Sequence, residues 1–411
     1  MTHYDSSETR DPRERERALM ARLPGQVAHA VAHTAAYARL LADFDPRSVN
    51  SREALSTLPV VRKSELLDLQ KAARPFGGFA ATTWGPGCAR VFASPGPLYE
   101  PEGARKDYWR LARALYAAGF RSGDLIHNTF SYHFTPAGSM METAAHALGC
   151  TVFAGGVGQT EQQVQAMGDL RPRGYVGTPS FLRILLEKAD DMGVRVDSLR
   201  KALASGEAFP RSLCEWLRAR GIDAYQAYAT ADLGLIAYES PAREGLVVDE
   251  DVIVEIVRPG TGEPLPEGEA GEVVVTSFNP DYPLIRFGTG DLSAVLPGAS
   301  PCGRTNVRLK GWLGRADQTT KVKGMFVHPS QVAAVLKRHG EVVKVRLVVD
   351  NATGADRMTL RCEADAGSDA LAQALAATLR ELTKLRGEIA FCARGSLPND
   401  GKLIEDSRQY D

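Results

Sequence analysis

The chain has 411 residues, 44% of them hydrophobic, which is enough for a substantial buried core and too many for one small domain, so two or three folding units are expected. Lys and Arg number 49 against 50 Asp and Glu, and a net charge of -1 leaves no global field to draw in a nucleic-acid backbone or an anionic membrane. No run approaches the ~18 apolar residues of a bilayer span, the charged opening lacks a signal-like apolar core, and six scattered cysteines form no CxxC pair; a cytoplasmic protein with reduced thiols is expected.

In chain order, Asp11-Pro12 supplies a cap residue and a proline at the first helical position. The apolar rhythm of Leu19, Leu23, Val27 and Val31 then predicts a peripheral helix. A helix around Tyr108, Leu111 and Leu115 leads to a predicted strand over 125–130. The unit recurs as helix 141–148, strand 151–154, helix 161–170, strand 174–176 and helix 179–190. Strands alternating with helices imply an α/β fold with a mainly parallel sheet covered on both faces, whose ligands sit beyond the carboxyl ends of the strands. Beyond residue 239 the β-rich runs 251–257 and 272–278, joined by a turn-rich segment, predict a β subdomain over about 240–310. From 314 onward a hairpin, a helix over 330–338, strands over 342–349 and 358–362, a helix over 369–385 and a strand over 389–393 predict a small α+β domain. The expected division is therefore 1–314 and 315–411, with the later segment a cap.

The residues most informative about function lie in the second half. They are Ile285-Arg286-Phe287-Gly288-Thr289-Gly290-Asp291, Gly314-Arg315-Ala316-Asp317, Lys323-Gly324, Pro329-Ser330-Gln331 and Pro398-Asn399-Asp400-Gly401-Lys402. Supporting segments are Arg74-Pro75-Phe76-Gly77, Thr160-Glu161-Gln162-Gln163, Gly177-Thr178-Pro179-Ser180, Ser205-Gly206-Glu207 and Pro301-Cys302-Gly303-Arg304. In this order and spacing they resemble the adenylate-forming acyl ligases, and within them the phenylacetate-CoA ligase group, from about residue 15 to residue 402.

The resemblance implies a large N-terminal domain holding acyl and nucleotide sites and a small C-terminal domain that rotates between adenylation and thioester formation. It implies ATP or AMP, magnesium and CoA as cofactors. A carboxylate is a poor electrophile, and joining it to AMP creates a leaving group, provided that charge on the α-phosphate is neutralised. By resemblance, Asp291 accepts hydrogen bonds from ribose hydroxyls, Arg315 holds ribose or phosphate oxygens, Asp317 is the hinge, and Lys402 is the catalytic cation. Ser205, Gly206, Glu207, Tyr228 and Thr230 fall in segments that line the nucleotide site, with Tyr228 stacked on the base. Tyr132, His133 and Phe134 fall where an aromatic acyl pocket forms, and Asp232 stands in the place of the magnesium ligand. His127, His146 and Cys302 have no metal-ligand spacing and are read as structural.

Two departures point the same way. The family's phosphate loop is rich in Ser, Thr and Gly and ends in Gly-Lys-Pro, whereas here the corresponding run 92–103 carries Pro95, Pro97 and Pro101, each without an N–H donor, and has no lysine. Glu100 and Glu102 are expected to bring negative charge where the polyphosphate would lie, at about 3 kcal/mol per like-charge contact for ~5 Å and an effective dielectric of ~20. Arg105 and Lys106, which could offset that charge, are expected to cap a solvated helix. In the segment Tyr228-Ala229-Thr230-Ala231-Asp232, Ala231 replaces a hydroxyl and Asp232 replaces a longer glutamate. Three functions remain open: an acyl ligase that adenylates a small aromatic or arylacetic acid and passes it to CoA or another nucleophile, an ATP-independent acyltransferase using preformed acyl-adenylate or acyl-CoA, and a non-catalytic ligand-binding relative. Partners are the small acid and the nucleotide, and homodimerisation is left open.

Overall fold

The computed structural model describes residues 3–94, 97–316, 318, 320–352, 355–398 and 402–408, and of Phe326 only the backbone. Two compact units divide the chain, Met1–Leu313 and Gly314–Asp411.

A long sheet organises the first unit. Its order is Val295–Leu296, Arg308–Leu309, Leu246–Val248, Gly234–Glu239, Asp223–Thr230, Lys201–Ala204, Gly174–Gly177, Leu125–Asn128, Thr151–Ala154. From Asp223–Thr230 to Thr151–Ala154 the strands pair in parallel, and toward the other edge they pair antiparallel. Side-chain alternation in the parallel strands explains the two covering layers. Val176, Leu203 and Tyr225 share a buried cluster with Ala112, Leu115, Met140 and Ala144, from helices Ala112–Ala117 and Ala137–Leu148. Their neighbours Tyr175, Ala202 and Ala224 face the opposite cluster, with Val164, Leu182, Leu185 and Leu217 from helices Thr160–Leu170, Pro179–Met192 and Arg211–Ala219.

A second sheet runs in the order Val61–Arg62, Phe287–Ser293, Gly271–Ser277, Val252–Val257, and helix Pro12–His33 covers it with Leu19, Leu23 and Val27. A separate hairpin pairs Cys88–Ser94 with Leu98–Gly103. The predicted helix near Tyr108 begins only at Ala112, so Arg105 caps nothing; its guanidinium bonds Asn279 at 2.6 Å and pairs with Asp281. The second unit is a sheet in the order Glu388–Cys392, Arg357–Ala364, Val342–Asp350, Ile404–Asp406, with helices Pro329–Arg338 and Asp369–Thr383 and the hairpin Thr320–Val322 with Met325–Val327. None of the six cysteines is in a disulfide.

Arg286 clamps the second sheet from inside. Its guanidinium pairs with Glu255 at 3.1 Å and donates to the carbonyls of Ser56, Leu58 and Gly262 at 2.6–2.7 Å, with the side chain only 2% exposed. Burial raises the Glu255 carboxyl pKa, and Arg286 opposes that rise. Removing the cation strands a buried carboxyl and three carbonyls, so Arg286→Ala should lose about 3–5 kcal/mol of stability in denaturant titration. A loss under about 1 kcal/mol would contradict the clamp.

Candidate active site

The strand ends and one broken register build the site. Between Gly271–Ser277 and Phe287–Ser293 the partners shift from Glu272↔Leu292 to Val274↔Gly288, so Thr289, Gly290 and Asp291 oppose Val273 alone. Such a bulge re-aims side chains, and Gly290, at φ +75°, supplies a left-handed step that a residue with a Cβ resists. Thr289 fixes the bulge by donating to the Val273 carbonyl at 3.0 Å and accepting from the Asp291 N–H at 3.1 Å.

Asp291 is thereby turned toward Tyr228 on Asp223–Thr230. The Tyr228 hydroxyl lies 2.9 Å from Asp291 Oδ2 and 3.1 Å from Thr289 Oγ1, and the Trp312 indole N–H donates to Asp291 Oδ1 at 3.1 Å. Both carboxylate oxygens thus receive donors of the kind that a pair of ribose hydroxyls would provide. The other residues expected to line the nucleotide site have local partners. Ser205 donates to the Ala227 carbonyl at 2.8 Å and ties two strand ends together. Glu207 is exposed and accepts from Ser180 N–H at 2.8 Å, which places its charge at the N-terminus of Pro179–Met192. Gly206 adopts φ +85°, and Thr230 Oγ1 accepts from Leu233 N–H at 3.2 Å.

The aromatic trio divides. Tyr132 is half-buried, with its hydroxyl 2.8 Å from Asn128 Nδ2, whereas His133 is exposed and Phe134 is 80% exposed at φ +62°. An enclosed apolar pocket therefore receives at most Tyr132 of the three. His127 is buried and bonded to Gln163 at 2.7 Å, and Cys302 shares hydrogen bonds with Ser240, Ser300 and Arg304, in keeping with structural roles. Arg315, half-buried, and Lys402, exposed, belong to the second unit, and Asp317 lies outside the described residues.

The run 92–103 corrects an expectation. Both glutamates point into the interior, with Glu100 at 0% and Glu102 at 2% exposure. Glu102 pairs with Arg90 at 2.8 Å and accepts from Trp109 Nε1 and Ser139 Oγ, so it is a satisfied anion and not a free charge facing a ligand. Glu100 is bonded to both the N–H and the hydroxyl of Ser94. Near it Lys63, the first residue of helix Lys63–Ala72, pairs with Asp232, whose side chain is wholly buried. Asp232 Oδ1 and the Tyr282 hydroxyl are buried without a hydrogen-bond partner. The donor set does not suit a resident magnesium ion. Magnesium needs octahedral oxygen ligation, whereas Asp232 has one oxygen on an ammonium, and the described residues contain no group of three or more His, Cys, Asp or Glu that could hold a metal.

Comparison with known proteins agrees with this architecture. A family model for AMP-binding enzymes matches residues 106–279. A phenylacetate-coenzyme A ligase of Thermus thermophilus is 34% identical over 404 residues, covering 92% of this chain and 89% of that protein. The chain belongs to the phenylacetate-CoA ligase family. A second phenylacetate-coenzyme A ligase, from Aromatoleum evansii, is 31% identical and covers 84% of this chain and 80% of its own. Among solved structures, a 2-hydroxyisobutyryl-CoA ligase in complex with 2-HIB-AMP and CoA aligns with a TM-score of 0.82 at 24% identity, over 98% of this chain and 92% of that one, which shows a shared fold.

Motif reading missed Lys63 and Trp312, which stand outside the quoted motifs and bond Asp232 and Asp291, whereas Glu100, expected to face the ligand, is buried. The Lys63–Asp232 pair is open to a double-mutant cycle. Lys63→Met and Asp232→Asn should each destabilise, and the double variant should lose less than the sum by about 1–3 kcal/mol in urea titrations. A coupling near zero would contradict the pairing.

Proposed function

We propose that this chain is an AMP-forming acid-CoA ligase that joins a small carboxylic acid of the aromatic or arylacetic class to AMP, releases pyrophosphate, and passes the acyl group to the CoA thiol. The observation that carries the reading is the Tyr228–Asp291 station at the strand ends in a chain of this family. Ribose hydroxyls replace the Tyr228 and Trp312 donors on Asp291, and freeing the Tyr228 hydroxyl leaves its ring to lie along the base. Arg315 and Lys402 bring guanidinium and ammonium charge from the second unit, and Asp317 is its hinge. The Lys402 ammonium stabilises the charge that accumulates as the acid attacks the α-phosphate. Tyr132 borders the acyl end. Any magnesium enters with the nucleotide as part of the substrate.

A second reading rests on the run 92–103, which has three prolines and no lysine to hold a triphosphate tail. In it the chain accepts preformed acyl-adenylate or acyl-CoA and has no use for ATP. Acid-dependent exchange of labelled pyrophosphate into ATP separates the two readings. Ligase activity requires exchange with at least one aromatic acid, whereas exchange with none of a broad panel, with thioester formed from supplied acyl-AMP, favours the second. Lys402→Ala should lower kcat for exchange about 100-fold or more with little change in the KM for ATP, and Asp291→Ala should raise that KM about 10–100-fold. Unchanged constants in both variants would remove these roles.

A further inference from the structure

Cations gather at the amino ends of the parallel strands, opposite the ends where Ser205 and Tyr228 stand. There an open cavity of about 540 Å³ is lined by Arg171, Arg173, Asp197, Ser198, Arg200 and Lys201. Its backbone frame is fixed by the sheet. The Arg173 N–H donates to the Leu125 carbonyl at 3.0 Å, and the Arg173 carbonyl accepts from the N–H groups of Arg200 at 3.0 Å and Lys201 at 3.4 Å. Ser198 Oγ closes the frame by donating to the Pro172 carbonyl at 2.9 Å. Arg173 and Arg200, both exposed, thus spring from adjacent backbone positions, one residue before the paired Gly174 and Lys201.

The carboxylates at this place already carry cations. Asp197 is held by Arg171 at 2.8 Å and by Arg195 at 3.2 Å. Behind Lys201, the buried Asp124 takes the ammonium at 2.9 Å and the Arg121 N–H at 2.7 Å, while the same ammonium donates to the Gly119 carbonyl at 2.9 Å. With both carboxylates counted and Arg195 left out, the four cations that line the cavity still leave a surplus of two positive charges. A concave wall of one sign focuses its field on whatever anion enters, even in a chain with a net charge of -1.

We propose that this cavity binds a small anion of two or more linked phosphates, the pyrophosphate class, gripped between Arg173 and Arg200. A guanidinium fork matches two oxygens of one phosphoryl group, so two forks on neighbouring strands suit two linked groups better than one. Among the described residues no aromatic ring lines the cavity, and nothing there selects a nucleobase or an acyl ring. Lys201 and Arg171 supply charge from the wall, and Arg173 and Arg200 supply the contacts. The site lies at the other end of the strands from Asp291 and stands whether or not Asp291 binds a nucleoside. Free pyrophosphate and the tail of a nucleotide share this chemistry.

Footprinting of the full chain with phenylglyoxal, which modifies accessible guanidinium groups, reads the site through peptide mass spectrometry. Magnesium-free pyrophosphate should slow modification of Arg173 and Arg200 severalfold, while the exposed Arg13 and Arg386 react as before. Orthophosphate at the same ionic strength should need about tenfold or more higher concentration for the same protection. In calorimetric titration the double substitution Arg173→Ala, Arg200→Ala should weaken pyrophosphate association about tenfold or more, and the footprint of the unaltered chain decides the matter if that variant misfolds. ATP, tested alongside, separates the sources: protection equal to that by pyrophosphate extends the site to a nucleotide tail, weaker protection confines it to the free anion, and both support it. No protection of Arg173 and Arg200 by pyrophosphate, or protection equalled by orthophosphate at the same concentration, overturns the proposal.

Discussion

Three acidic side chains, Glu100, Glu102 and Asp232, lie in the interior where phosphate chemistry is expected, and the rest of the site depends on how their charge is held. Desolvation of an isolated carboxylate costs several kcal/mol, so each buried acid needs a cation, a cluster of donors or a proton. The chain uses the first two: Lys63 pairs with Asp232, Arg90 together with Trp109 and Ser139 holds Glu102, and the N–H and hydroxyl of Ser94 donate to Glu100. Once the charges are placed this way, the strand Leu98–Gly103 carries both its glutamates in the interior.

The same balance gives local meaning to a chain with almost no net charge. Attraction for an anionic nucleotide cannot come from a global field, so the proposed function depends on a few placed groups, with Asp291 proposed for the ribose hydroxyls and Arg315 and Lys402 for phosphate. The bulge at Thr289–Asp291 is the backbone device that brings Asp291 to Tyr228, because an unbroken strand would leave Asp291 at a different pitch relative to it.

Much of this was legible in the sequence. The alternation of strands and helices from residue 125 to 192 follows directly from apolar periodicity, and the Gly288-Thr289-Gly290-Asp291 motif marks the bulge through its glycines. Three things were not legible, each for a physical reason. Strands Lys201–Ala204 and Gly234–Glu239 are short and buried on both faces, so they lack the alternation that marks a half-buried strand. Glu100 and Glu102 read as charges facing the polyphosphate, because nothing local signals that Arg90 and Ser139 will meet Glu102 or that Lys63 will meet Asp232 from about 170 positions away. The bond of Glu207 to the Ser180 N–H at the start of helix Pro179–Met192 joins residues 27 positions apart, so local pattern does not signal it.

Whether this site makes an acyl-adenylate is open to one direct measurement. If a carboxylate oxygen attacks the α-phosphate and the CoA thiol then displaces AMP from the carbonyl, one carboxylate oxygen must leave with AMP. With the acid labelled by oxygen-18 in both carboxyl positions, and ATP and CoA supplied, mass spectrometry of the products should find one heavy oxygen in AMP and one in the thioester. Thioester formed while AMP carries no label would contradict an adenylate intermediate, and with it the roles assigned to Asp291 and Lys402.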